Sequence, residues 1–271
     1  MRHTFGTFVA AVGALMIFVA LPSADHSWAN FHWASTTGLI ALQIGDNVGE
    51  PWETSFDEAI DDWNESVVID LTKVRGGGNP WRCRPSSGRI EVCNAPYGDN
   101  GWLGLAQIWL TGEHITQATA RLNDSYFRMP AYDTSAWRRH VMCQELAHGF
   151  GLDHQDEIFD NPNLGTCMDY SDDPDGGEGG AVDNDPSNEH PNGHDFMQLL
   201  TIYDHRDPFG TARPGPGAGN PDDTPAAWGR LTRTSRNNRI QRFELDLGRG
   251  EKRVTHVFWA DPERDRRARE R

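Results

Sequence analysis

Gln144-Glu145-Leu146-Ala147-His148-Gly149-Phe150-Gly151-Leu152-Asp153-His154 is the stretch that decides how the rest of this chain is read. On a helix, positions 144 and 148 lie one turn apart on one face, so their side chains can converge on a single ion. Glu145 projects from the adjacent surface, where it can reach a water beside that ion rather than the ion itself. Glycine tolerates positive φ and commonly closes helices. Gly149 and Gly151 therefore let the chain turn sharply and bring His154 round as a further ligand.

Apart from its first residue the stretch matches H-E-x-x-H-x-x-G-x-x-H, and Thr166-Cys167-Met168-Asp169-Tyr170 follows it downstream. Together the two segments resemble the metzincins, the secreted zinc endopeptidases that include matrixins, astacins and serralysins, in which a methionine turn lies beneath the zinc ligands. The resemblance implies an α+β fold: a twisted mixed sheet, an active-site helix, the Met-turn and a C-terminal helix. It also implies zinc as cofactor, a protein or peptide substrate, His148 and His154 as metal ligands, and Glu145 as general base. Tyr170 follows Met168 by two residues, as in the astacin and serralysin branches. It is thereby expected to ligate resting zinc or to hydrogen-bond the tetrahedral oxyanion.

Gln144 stands where the family has its first histidine. An amide oxygen is an uncommon zinc donor. Second-shell losses alone cost roughly 10–100-fold in affinity, and loss of a ligating imidazole costs at least that. Three readings stay open: Gln144 ligates through its carbonyl oxygen, another side chain fills the gap, or the site is degenerate. His140 is a poor replacement, about two turns before His148 and roughly 12 Å along the axis. His190 and His194 are better placed, since a loop can fold back. The degenerate reading carries the alternative function, a catalytically inactive, metzincin-shaped secreted protein that binds or supports.

Outward from this centre, Met1-Arg2-His3 followed by an apolar run over residues 5–21 and the small-x-small Ser27-Trp28-Ala29 reads as a signal peptide, residues 1–29. The expected localisation is secreted, without stable membrane association. The competing anchor reading has a run near the lower limit for spanning and no basic block after it. A net charge of −15 excludes nucleic acid as a partner, because phosphate binding needs clustered cations. A monomer is expected. Four cysteines in an exported chain read as two disulfides, and proximity pairs Cys83 with Cys93 and Cys143 with Cys167. Against the first pair, Arg82-Cys83-Arg84-Pro85 is faintly similar to the zinc-blocking thiol of matrixin propeptides.

The peptidase-like domain is expected over 30–207. Strands are expected at 39–42, 66–74, 89–93 and 115–122, and a helix at 54–63 with Phe56, Ile60 and Trp63 on one side. Residues 102–110 resemble the edge strand above the metzincin cleft, to which substrate adds as a further strand. An ordinary core strand is the other reading. Thr134 or Ser135 caps the active-site helix, and His194 or Asp195 caps a closing helix through Phe196, Leu199, Leu200 and Tyr203. His114, in a turn, is given no role. The Gly/Asp-rich insert at 171–189 offers oxygen donors for structural calcium, but its spacing fits no EF-hand, and a solvated loop is the plainer reading. A Pro/Gly-rich linker is expected at 208–225. A β-hairpin extension follows at 226–262, with strands at 239–247 and 252–260, too small to stand alone and so packed on the main domain or a partner. Residues 263–271 read as a charged, disordered tail.

Overall fold

The computed structural model describes residues 26–178, 182–210, 224–235 and 238–262. Most of the expected signal segment, most of the linker and the charged tail lie outside these. The order of elements is β1 (His32–Trp33), β2 (Ile40–Asn47), α1 (Glu53–Trp63), β3 (Ile69–Arg75), β4 (Arg89–Ala95), β5 (Trp102–Thr111), β6 (His114–Asn123), α2 (Asp124–Phe127), α3 (Ser135–His148) and α4 (Gly193–Tyr203). A 3-10 turn (Pro225–Ala227) and strands β7 (Arg230–Thr234), β8 (Ile240–Gly248) and β9 (Glu251–Trp259) follow. The class is α+β, with a mostly sheet core and few helices.

All the strands join one mixed sheet in the order β3-β2-β4-β6-β5-β9-β8-β7, with β1 beside the start of β6. β2, β3, β4 and β6 run parallel to one another. β5, β9, β8 and β7 continue the sheet as antiparallel neighbours. β4, β5 and β6 are buried almost throughout, as strands covered on both faces must be. One face packs on α1 and α3. There Trp63 donates its indole N–H to the Cys143 carbonyl (3.2 Å) and meets Phe150 edge-on, drawing the two helices together. The other face carries a smaller cluster of Trp102, Leu105, Trp228, Phe243 and Val257.

Residues 102–110 do not form an edge. β9 pairs with β5 along its length, from Trp102 opposite Trp259 to Thr111 opposite Glu251. The physical reason lies in composition. Every residue of β5 except Thr111 is buried, and so apolar a strand is costly to leave open, with its row of backbone donors and acceptors unpaired. β9 satisfies that row, and strand alternation puts Val254, His256 and Phe258 together on one face.

Both disulfides form as the spacing suggested, Cys83–Cys93 and Cys143–Cys167. The second ties α3, immediately before Gln144, to the turn immediately before Met168. Thr134 caps α3, its side chain accepting from the Trp137 amide. The closing helix is capped by Asn192 rather than by His194 or Asp195, in a box where the Asp195 side chain accepts from the Asn192 amide in return.

The expected cleavage after Ala29 would remove His26 and Trp28, and both are buried. The Trp28 amide donates to the Gly151 carbonyl, and the Asp153 amide to that of His26, so this segment lies along the turn after α3. Gly151 makes that approach possible. Its φ is +99°, and a Cβ there would stand 2.3 Å from the Phe31 carbonyl oxygen. No helix among the described residues is long and apolar enough to cross a membrane.

Candidate metal centre

α3 and the turn after it deliver His148 and His154. The third imidazole comes from β9, where His256 faces Ala106 of β5 across the ladder. Ligand atoms of His148, His154 and His256 all lie within 4.8 Å of one another. Their rings surround a common point, with centroids 4.6 Å apart for His148–His154, 4.2 Å for His148–His256 and 4.3 Å for His154–His256. Neither His190 nor His194 takes part. His190 pairs with Asp62 at the surface, and His194 stacks on His26. Sequence reasoning missed His256, although the alternation Val254-x-His256-x-Phe258 set it on the apolar side of the hairpin.

Gln144, one turn before His148, donates its amide to the Cys167 carbonyl (2.8 Å). Its Oε1 is buried and has no hydrogen-bond partner among the described residues. Glu145 is wholly buried, and neither carboxylate oxygen has a partner among the described residues. Loss of solvent pushes its carboxyl well above the ordinary range. The side chain lies against Gly104 of β5, where a Cβ would stand 2.3 Å from Oε1. A strand residue with any side chain would displace the carboxylate.

The His148 Nδ1–H donates to the Leu152 carbonyl (2.8 Å), which leaves a lone pair on Nε2, itself buried with no partner among the described residues. Both ring nitrogens of His256 are likewise buried, with no hydrogen-bond partner among the described residues. Burial lowers the pKa of His148 to about 3 and that of His256 well below its usual value, so protons are a poor remedy for these lone pairs. His154 turns Nδ1 to Asp153 (3.3 Å), and its Nε2 meets the Tyr170 hydroxyl at 2.8 Å. Asp153 is held in turn by Arg233 of β7 (2.7 Å), so the C-terminal strands also brace the support of His154. Trp28 stacks on His148 at 4.8 Å and 12°. Met168 is buried in the core.

Three converging imidazoles, that of His148 oriented by a backbone carbonyl, suit zinc, whose tri-histidine sites have this composition. Among the described residues of the 171–189 insert, no three close acidic side chains form a cation group, so the calcium reading gains no support.

No family model matches this chain, and no curated protein matches it. Among solved structures it is similar to high choriolytic enzyme 1, a hatching enzyme zinc-protease from Oryzias latipes, the medaka fish. That match has a TM-score of 0.37 at 13% identity, covering 68% of this chain and 100% of that one. At that level the likeness carries no weight, and the chemistry rests on this chain's own residues.

Proposed function

We propose that this chain is a secreted, zinc-dependent endopeptidase, in a closed state in which its own C-terminal hairpin covers the cleft. The observation that supports it is the juxtaposition of three metal-ready imidazoles with a buried carboxylate that has no structural partner. A carboxylate costs several kcal/mol to bury unpaired, so a fold retains one where it has chemistry to do. Zinc held by His148 and His154, with His256 as the third donor in the closed state, would supply Lewis acidity and bring the pKa of a water towards neutrality.

Glu145, one residue past Gln144, receives the proton of the attacking water and returns it to the leaving amine nitrogen. Its raised pKa suits both halves of that transfer near neutral pH. The Tyr170 hydroxyl, now against His154, is the donor for the oxyanion. The Leu152 carbonyl fixes the tautomer of His148. Substrate would add to β5 as an extended strand, in the place β9 holds. When β9 leaves, His256 leaves with it. Gln144 Oε1 then becomes the available third donor on α3, so the two residues exchange one ligand position between the closed and open states. Two disulfides suit an oxidising, exported setting.

A second reading, a metal-bearing but non-catalytic binding protein, is favoured by one observation, the full coverage of β5 by β9. Cleavage of casein by wild type and Glu145→Ala, each with and without a zinc chelator, decides between them. The peptidase reading expects activity in wild type alone and only without chelator. Equal cleavage in all four rules it out.

A further inference from the structure

A second group of side chains, sharing no residue with the first, gathers where the N-terminal strand, the β5–β6 turn and the segment after α4 meet. His32 lies on β1, His114 begins β6, and His205 and Asp207 follow α4. The His114 Nε2 is 3.1 Å from Asp207 Oδ1, the His32 Nε2 3.5 Å from the same oxygen, and the His205 Nε2 3.7 Å from it. The His32 and His205 Nε2 atoms are 3.0 Å apart. The rings stand nearly perpendicular, His32 to His114 at 71° and His32 to His205 at 84°, so their nitrogens point inward from different directions.

Tautomers argue for a cation. The Asn30 carbonyl can only accept, so the proton of a neutral His32 sits on Nδ1, 2.5 Å from that oxygen. Its Nε2 is then a lone pair facing a carboxylate oxygen and another imidazole nitrogen. One proton relieves one of these contacts. A divalent cation relieves all of them. The supporting contacts are those of a metal site: a backbone carbonyl orients His32, and the Ser35 amide holds Asp207 Oδ2 at 2.8 Å, leaving Oδ1 for the centre.

We infer that His32, His114, His205 and Asp207 form a second, structural zinc site. Three imidazole nitrogens and one carboxylate oxygen make a complete four-coordinate set for a borderline divalent ion. A site with four protein ligands has no open position, so it clamps rather than catalyses. It pins the chain entering the fold to the chain leaving α4. The inference stands independently of the peptidase reading.

The test counts metal in the full-length protein, stripped by chelator, reloaded with zinc, desalted and weighed under native conditions. Wild type is expected to hold two zinc ions. His114→Ala/His205→Ala, whose rings are partly exposed, is expected to hold one, with circular dichroism unchanged. His148→Ala/His256→Ala is expected to hold one, lost when combined with the first pair. Cobalt(II) substituted into His148→Ala/His256→Ala should give tetrahedral visible absorption that disappears in the combined variant. Zinc affinity at the second site should fall at least about 100-fold in His114→Ala/His205→Ala. The assignment is overturned if His148→Ala/His256→Ala holds no zinc, or if His114→Ala/His205→Ala holds as many ions as wild type.

Discussion

Gln144 and His256 separate two things that a single histidine usually combines, a position on the ligand helix and an imidazole. Gln144 keeps the position and spends its amide N–H on the Cys167 carbonyl. His256 brings the imidazole from far along the chain. In the closed protein, His256→Ala should therefore weaken zinc at least about 10-fold in competition with a chelator. Gln144→Ala should leave zinc stoichiometry unchanged while costing about 1–3 kcal/mol in urea denaturation, because it strands a buried carbonyl. The opposite pattern would return the ligand role to Gln144 in this state. Gly104 offers a second check. A Cβ there intrudes on Glu145, so Gly104→Ala should lower kcat/KM roughly 100-fold by misplacing the base, with zinc content intact. An equal loss of metal would place the damage in the fold instead.

Among the elements, those with strong local signals were legible. α1 is amphipathic, Thr134 is a sound cap, and the hairpin has alternating strands around Gly248-Arg249-Gly250. β7 was not legible. Its Arg-Leu-Thr-Arg-Thr is short, polar and mostly exposed, and only its pairing with β8 makes it a strand. The partner of β5 was also hidden, because periodicity shows that a strand is buried and is silent on what buries it. Two halves of the candidate centre therefore read differently. The helix and Met-turn carry local motifs, whereas His256 reaches the site only through long-range pairing. If β9 must yield to substrate, fixing it should silence the enzyme. Thr111 and Glu251 oppose each other in register, and opposed antiparallel residues lie about 4.5–5.5 Å apart at Cα, within disulfide reach. Thr111→Cys/Glu251→Cys should lose casein cleavage when oxidised and recover it when reduced. Full activity in the oxidised form would mean that β9 stays in place during turnover.

At the scale of the whole molecule, buried imidazoles make the fold sensitive to acid. Burial lowers His140 to about 4 and His148 to about 3, against roughly 6.5 in an unfolded chain. As pH falls below 6.5 the unfolded state binds protons that the folded state refuses. The stability is thus complete above 6.5 and lost on the way down to 4. His140 alone, which belongs to neither metal group, accounts for about 3 kcal/mol of it. Asp169 runs the other way. Burial raises it to about 7, so it favours the folded state as pH falls from 7 towards 4. Urea midpoints of the chelated protein should drop between pH 7 and 4.5, and more steeply in Asp169→Asn. A flat profile would mean these rings are not neutral and enclosed.

β5 lies under β9 for nearly its whole length, and this has a consequence beyond catalysis. Uncovered, it would be a bare ten-residue apolar ribbon with its hydrogen-bonding side open to any neighbour. On the proposed function, each moment of opening thus sets a peptide substrate in competition with the same strand of another copy. Paired along β5, the hairpin keeps that ribbon from zipping onto other copies into fibres or clumps.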